Sequence, residues 1–317
     1  MSTASYHCPC CGGGPLKFSG ESCRLECAAC GNNYEPEALE MMTPEESIDE
    51  ITFANDAKRF DTGEAGMRAY FCKNCGAELM ADETAAAECP YCGSPTILPD
   101  RIEDGVKPEK VIPFVVSKEQ AQKQFEDYFK GKTLLPNVFL NSRNRISEMR
   151  RLYVPYWLFS CDARADMVYD AEKVHTEQKG EWKITRTKHY LVRRRGGMCF
   201  ENIPVDGSVK MDDKLTESLE PYDLSAAIPF QSAVLAGAMA DHADADCDAC
   251  EKRAVERSVE QTMLDTVRDY DTVSERSRRI IAERGSATPA LLPVWLMTTV
   301  KEGKTYTLAV NGQTGKL

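Results

Sequence analysis

Two stretches of the chain carry apolar residues at helical spacing. In the first, Ala121, Phe125, Tyr128 and Phe129 fall on one face of a segment spanning residues 117–130. Ser117 is its N-cap, Gln120 follows three positions on, and Gly131 ends it. In the second, Val255, Val259, Met263, Val267 and Tyr270 trace a stripe along residues 247–270. A third, short acidic helix is expected at Thr43-Pro44-Glu45-Glu46, a capping box with proline at the first helical position, followed by a loop. Period-two alternation marks strands. Tyr306, Leu308 and Val310 alternate between a Glu302-Gly303 turn and an Asn311-Gly312 turn.

Apolar runs broken by proline recur: Val111-Ile-Pro-Phe114, Tyr153-Val-Pro-Tyr-Trp-Leu-Phe159, Ala227-Ile-Pro-Phe230 and Leu291-Leu-Pro-Val-Trp-Leu-Met297. The second and fourth match closely, and each follows a helix that itself follows an Ile-Pro-Phe segment. The prediction is a duplicated body, residues 111–206 and 227–317, each half a helix packed on an antiparallel sheet, with Pro155 and Pro293 equivalent near strand starts. Trp157 and Trp295 are assigned to the core. The fold class expected is α+β, two N-terminal four-cysteine zinc ribbons followed by this body. The segments are ribbon 1 (1–34), an acidic linker with a short helix (35–69), ribbon 2 (70–104), a first half (105–221) and a second half (222–317).

The 317 residues and 42% hydrophobic content are enough for several packed domains. There is no secretory signal, and the uncharged stretches 224–240 and 286–300 are too short and proline-broken to span a bilayer. The net charge of −11 is uneven: residues 1–100 hold 6 Lys and Arg against 17 Asp and Glu, and the remainder is neutral.

Of the fourteen cysteines, eight form four C-x-x-C knuckles, each followed by glycine. Zinc takes four tetrahedral ligands, and two such knuckles at the tips of short hairpins close the tetrahedron. The ligand sets expected are Cys8, Cys11, Cys27, Cys30 and Cys72, Cys75, Cys89, Cys92, for two zinc ions. A redox dithiol needs one such pair near a βαβ unit, not two spaced pairs twice over. A module of this size cannot bury enough surface to fold alone, and metal binding supplies the missing free energy. Replacing Cys75 or Cys92 is therefore expected to unfold the second ribbon locally and leave the body folded. Each metal–thiolate centre adds a formal −2, bringing the first hundred residues to about −15. That charge opposes binding to phosphate backbones.

Among the other cysteines, Cys10 lies inside a knuckle and Cys23 on the ribbon strand; Cys161 and Cys199 are small buried residues. Cys247 and Cys250, with His242 nearby, admit a metal site, but acidic residues at a helix start also suit the dipole. No catalytic constellation emerges, and Gly196-Gly197 is not a phosphate loop, so the chain is not expected to be an enzyme. The basic run around Lys188, Arg193, Arg194 and Arg195 is either a solvated hairpin edge or a contact for an anionic partner, lipid or acidic protein.

Taken in order, CPxCG…CxxCG twice, KVIPF, YVPYWLF, NIPVDGSVKMDDKL, LEPYD and LLPVW…NGQTGK resemble a bacterial family of TFIIB-type zinc-ribbon-containing proteins. These are YdjG-like membrane proteins of a phage-shock-like envelope-stress system. The resemblance implies hydrophobic C-terminal segments after NGQTGK, which would make this chain the cytosolic part of a membrane-anchored protein on the cytoplasmic face. It also implies a scaffold working with SPFH-type and PspA-like membrane-remodelling proteins. The function expected is thus a non-enzymatic zinc-binding adaptor; the alternative is a nucleic-acid-binding zinc-ribbon regulator.

Overall fold

The computed structural model describes residues 6–42, 47–60, 68–81, 88–95, 97–100, 105–129, 149–245, 247–301 and 304–317. The capping box at Thr43, the Gly131 helix end and the Glu302-Gly303 turn lie outside them. Contact density divides the chain into two compact units. One comprises Met1–Ile51, Asp162–Met198 and Val259–Glu283; the other comprises Thr52–Cys161, Cys199–Ser258 and Arg284–Leu317. This division cuts across the five segments drawn from the sequence because three long strands contribute to both units.

The chain opens with β1 (Lys17–Ser19), β2 (Arg24–Glu26) and β3 (Asn33–Tyr34), an antiparallel three-stranded sheet, and then helix α1 (Pro36–Met42). This helix precedes the expected capping box. The expected loop after it is instead strand β4 (Ile48–Ala54). The second ribbon contributes β5 (Arg68–Cys72), β6 (Glu78–Ala81) and β7 (Ile97–Asp100). Then come β8 (Lys110–Val111), α2 (Lys118–Phe129), β9 (Arg150–Lys179), β10 (Trp182–Asp206), α3 (Asp213–Ser218), β11 (Ile228–Pro229) and β12 (Met239–Asp241). The C-terminal part holds α4 (Cys247–Val255), a π turn (Glu256–Glu260), α5 (Gln261–Asp265), β13 (Thr272–Lys301) and β14 (Lys304–Asn311).

Helix α2 forms as its sequence dictates. The Ser117 hydroxyl accepts from the Gln120 amide at 3.3 Å, and the Gln120 side chain accepts from the Ser117 amide at 2.8 Å, closing a reciprocal capping box. Along the 247–265 helix, Val255, Val259 and Met263 of the predicted stripe are buried, as is Val267 in the turn beyond it.

Strand β9 changes character along its length. Residues 152–159 are buried on both faces, residues 161–167 alternate, and residues 173–179 are almost wholly exposed. A strand sandwiched by packing on both sides reads as a continuous apolar run, and one with a single covered face reads as alternation. One 30-residue strand therefore carries several patterns.

The main sheet follows the order β11-β8-β13-β9-β12-β6-β5-β7, with β10 on β9, and β14 and β4 on β13. It is mixed rather than wholly antiparallel: β8 runs parallel to β13 (Val111 opposite Leu291), and β12 runs parallel to β9 (Ala240 opposite Tyr153). These short strands enter from connections long enough to permit parallel pairing.

Within the second unit, two sets of contacts correspond one for one. The Pro155 carbonyl accepts from Gly207 N at 2.9 Å, and the Pro293 carbonyl accepts from Gly312 N at 2.8 Å. Gly207 O takes the amides of Asp244 and Ala245; Gly312 O takes those of Val115 and Val116. The Asp206 carboxylate accepts from Ser208 N, and the Asn311 side-chain oxygen accepts from Gln313 N. Ala121 and Phe125 of α2 pack with Trp295, while Cys250 and Ala254 of α4 pack with Trp157, so both tryptophans are core. By this correspondence, residues 239–241 match 110–112. The Ala227-Ile-Pro-Phe230 segment stands elsewhere, with β11 paired antiparallel to β8.

Candidate metal centres

Each C-x-x-C-G knuckle builds the same turn. The amide of the glycine donates to the first cysteine's carbonyl, at 2.8–2.9 Å, in all four: Gly12 to Cys8, Gly31 to Cys27, Gly76 to Cys72, Gly93 to Cys89. These glycines have φ of 64°, 74°, 72° and 72°, a left-handed conformation that side chains disfavour. The turns present sulfurs in two groups of four, Cys8, Cys11, Cys27, Cys30 and Cys72, Cys75, Cys89, Cys92, each group lying within 4.8 Å. Cross-knuckle Sγ–Sγ distances are 3.6 Å for Cys8–Cys30, Cys11–Cys27, Cys72–Cys92 and Cys75–Cys89. A tetrahedron with Zn–S of about 2.3 Å has edges of about 3.8 Å, whereas a disulfide is about 2 Å long. The donor set fits a tetrahedral thiophilic ion such as Zn²⁺, and either group could hold one.

The two centres differ in their surroundings. The first is supported by a small cluster: Leu16 and Leu39 with Cys8 and Cys27, flanked by Tyr6, Leu25 and Tyr34. The Tyr34 hydroxyl hydrogen-bonds Cys8 Sγ at 3.3 Å, and this contact leads in lowering the Cys8 pKa to about 6. Cys11 and Cys30 are exposed.

The second centre is built into a core. Cys72 and Cys89 are fully buried and pack in one cluster with Leu152, Val154, Tyr156, Leu292, Val294 and Leu296 of β9 and β13. Its strand β6 continues the main sheet through β12, Leu79 opposite Asp241. Burial works against Cys92 ionisation, yet hydrogen bonds from the Asn74 side chain and the Ser94 backbone lower its pKa to about 7. The knuckles are also held by side chains distant in sequence. Lys210 Nζ donates to Cys75 O at 2.9 Å, Arg150 Nη1 to Cys89 O at 2.6 Å, and Thr298 Oγ1 to Pro90 O at 3.0 Å. Two of these donors are cationic and stand beside a centre whose four thiolates and metal would sum to −2. Sequence reasoning misses this clamp. Of its three donors only Lys210 lies in a motif singled out in the sequence, NIPVDGSVKMDDKL, and that motif names no contact. The placement also changes the expectation that the second ribbon unfolds alone.

Tyr91, between Cys89 and Cys92, donates its hydroxyl to Asp241, which also accepts from the Ser208 hydroxyl. Asp241 and Asp206 are buried, and burial raises each pKa to about 7, with their mutual repulsion adding to Asp206. Both folded pKa values lie above the unfolded value of about 3.9, so the folded state keeps protons that the unfolded chain releases. The associated stability is fully present below about pH 4 and is lost as pH rises through about 7, on the order of 4 kcal/mol per carboxyl. Urea melts between pH 6 and pH 8 should therefore show a steeper loss for the wild type than for the Asp206→Asn, Asp241→Asn double variant. Parallel curves would show that the pair does not titrate in this range.

The remaining candidates are dispersed. Cys247 Sγ accepts from Asn55, Cys250 Sγ faces Asp206 O, and neither forms a metal-holding group with His242 among the described residues. Cys161 is buried as expected, but Cys199 is exposed on β10 and Cys23 lies in the turn between β1 and β2. Arg193 makes a bidentate pair with Asp166 at 2.6–2.7 Å, Arg195 joins the same carboxylate at 2.7 Å, and Arg194 reaches Thr266 O at 3.4 Å. Arg193 and Arg195 flank a groove of about 490 Å³ shared with Arg278 and Arg279. Asp49, Glu260 and Glu50 meet the latter two. Part of the N-terminal acidity is thus neutralised within its own unit. Lys188 is exposed further out on the hairpin. No helix among the described residues is long and apolar enough to cross a membrane.

The chain is similar to a protein of Bacillus subtilis (strain 168) named "Uncharacterized protein YdjG", with 34% identity over 316 residues, 99% of this chain and 88% of that one. No family model and no solved structure matches the chain.

Proposed function

This chain belongs to the YdjG family, and from that membership together with its two four-cysteine groups we propose that it is a zinc-binding adaptor without enzymatic activity. It would work at the cytoplasmic face of the cell membrane and recruit protein partners, SPFH-type and PspA-like membrane-remodelling proteins being the candidates. The observation that carries this reading is the closed donor set. Four sulfurs within 4.8 Å in each group would complete the coordination of a zinc ion and leave no position for water or substrate, which is the signature of structural rather than catalytic zinc.

The two groups would then divide the work. The second, held in the main sheet, stabilises the body. The first, with exposed Cys11 and Cys30 and with Phe18 61% exposed on its sheet, presents a surface to a partner. We further infer that the body arose by internal duplication in which each half's short strand and helix pack on the other half's long strand. The matched bonds at Pro155 and Pro293 support this.

Metal analysis should give two zinc ions per chain, and one or none with all eight cysteines reduced would overturn the assignment. The full-length protein should pull candidate partners from native membranes, and deletion of residues 1–34 should remove at least one of them. Residues 70–104 are unsuitable for deletion because β6 is part of the main sheet. Sub-micromolar, sequence-dependent binding to duplex DNA or single-stranded RNA would instead support a nucleic-acid regulator.

A further inference from the structure

The far end of the β9–β10 hairpin carries features that neither the zinc centres nor the adaptor reading uses. The strand β13 begins at Thr272, and its approach is anchored to the hairpin at residues 172–174: Asp271 N donates to Glu172 O, and Val174 N donates to the Asp271 carboxylate. Tyr270 packs edge-on against Tyr190 and lies under Lys173. Beyond these contacts the hairpin continues to a turn at Gly180, φ 63°, and almost every residue from 173 to 190 is exposed. About six more residues on each strand extend it by about 20 Å. That is more than twice the Debye length of about 8 Å at physiological salt, so the tip is screened from the charges around its anchor.

That charge is positive in a chain of net −11. Beyond the anchor, residues 175–187 carry Lys179, Lys183 and Arg186 against Glu177 and Glu181, and at the anchor Lys188 stands opposite Lys173, which also meets Asp269 at 3.8 Å. The cross-strand contacts Thr176–Thr185, at 3.3 Å, and Glu172–His189, at 3.0 Å, fix the register. With alternation from that register, Lys173, Lys179, Arg186 and Lys188 share one face with Trp182 and Tyr190. Of the acids only Glu177 lies on that face, and it pairs weakly with Lys179 and Arg186 at 3.8 and 3.4 Å. Trp182 itself is 76% exposed, whereas Trp157 and Trp295 are 3% and 4% exposed.

An indole held in water at the leading end of a projecting hairpin, with lysines on both sides, has the chemistry of a membrane-interface anchor. The ring partitions to the headgroup level while the lysine stems reach anionic phosphates. A single-stranded nucleic acid would instead need aromatic platforms in sequence along a cationic groove, and here the exposed indole stands alone at the apex. We propose that the tip of the β9–β10 hairpin, centred on Trp182, binds the surface of an anionic lipid bilayer.

The test uses the 317-residue chain and vesicles of phosphatidylcholine with about 30% phosphatidylglycerol, a composition whose surface attraction grows with each nearby lysine. Because Trp182 is the exposed one of three tryptophans, its emission should shift to the blue and be quenched by brominated lipid tails. Trp182→Ala should abolish both signals. Removing Lys179 or Arg186 should weaken binding about fivefold, and the Lys179→Glu, Arg186→Glu double variant more than about tenfold. Pure phosphatidylcholine or high salt should release the protein. The altered side chains are exposed, so zinc content and melting should stay unchanged. The proposal is overturned if vesicles leave the emission unchanged, if Trp182→Ala binds as well as wild type, or if binding ignores salt and lipid charge. Tighter, Trp182-dependent binding to a single-stranded oligonucleotide would also overturn it.

Discussion

Replacing Cys89 with serine should unfold the whole unit around the second metal centre, while replacing Cys27 should cost only the first ribbon. Cys89 is fully buried in the cluster that unites the second ribbon with β9 and β13. Cys27 belongs to a cluster of its own with Leu16 and Leu39. Structural zinc contributes an apparent 10–16 kcal/mol or so in small modules, comparable to or larger than the roughly 5–15 kcal/mol net stability of a domain. Each variant should retain one zinc. The Cys27→Ser protein should keep the main melting transition within a degree or two, and the Cys89→Ser protein should lose it. If both variants kept the transition, the second ribbon would be as detachable as its spacing alone suggests.

The second large effect is expected at Gly312. A Cβ placed there would lie 2.6 Å from Phe114 Cε1 and 2.8 Å from Pro293 Cβ, both in the packed region beside Trp295. Its counterpart Gly207 has more room, its nearest neighbour being Trp157 Cδ1 at 3.3 Å. Overpacking costs about 1–3 kcal/mol, so Gly312→Ala should fall at the upper end and Gly207→Ala near the lower. For a unit of this size that corresponds to a drop in Tm of about 8 °C against about 3 °C. Zinc content should stay at two ions in both. Equal drops would mean that Phe114 yields more freely than its packing implies.

Local chemistry is legible in the sequence. The four knuckles, the Ser117–Gln120 capping box and the stripe from Val255 to Val267 each depend on residues within one or two turns, and each is present as expected. Contacts between distant segments are less legible. Of strand β9 only the apolar run 153–159 stands out in the sequence, because its covering changes from two faces to one to none along its length. Strand β4 reads as a loop; its pairing with β13 is possible because Gly285 leaves room for the Thr52 carbonyl, 2.4 Å from where a Cβ would sit. The attachment of the second centre depends on Arg150, Lys210 and Thr298, whose partners lie 61, 135 and 208 positions away. No local pattern marks such partners. The Ile-Pro-Phe repeat matches Ala227–Phe230 with Val111–Phe114, whereas the strand that pairs parallel with β9, as β8 does with β13, is residues 239–241, which have no Ile-Pro-Phe signature.

The parallel pairing of Val111 with Leu291 and of Ala240 with Tyr153 bears on the order in which a ribosome can deliver this protein. Synthesis runs from the N-terminus, so β8 emerges long before the strand that completes it. The first ribbon needs only its own cysteines and can close early. The second has its four cysteines within the first hundred residues, but the apolar wall it rests against includes Leu292, Val294 and Leu296, which emerge much later. Until they arrive, a nascent chain exposes an apolar surface and unpaired strand edges, the condition in which chains aggregate or engage chaperones. Ribosome-bound chains stalled before residue 290 should thus be protease-sensitive throughout the body while their first ribbon is already protected.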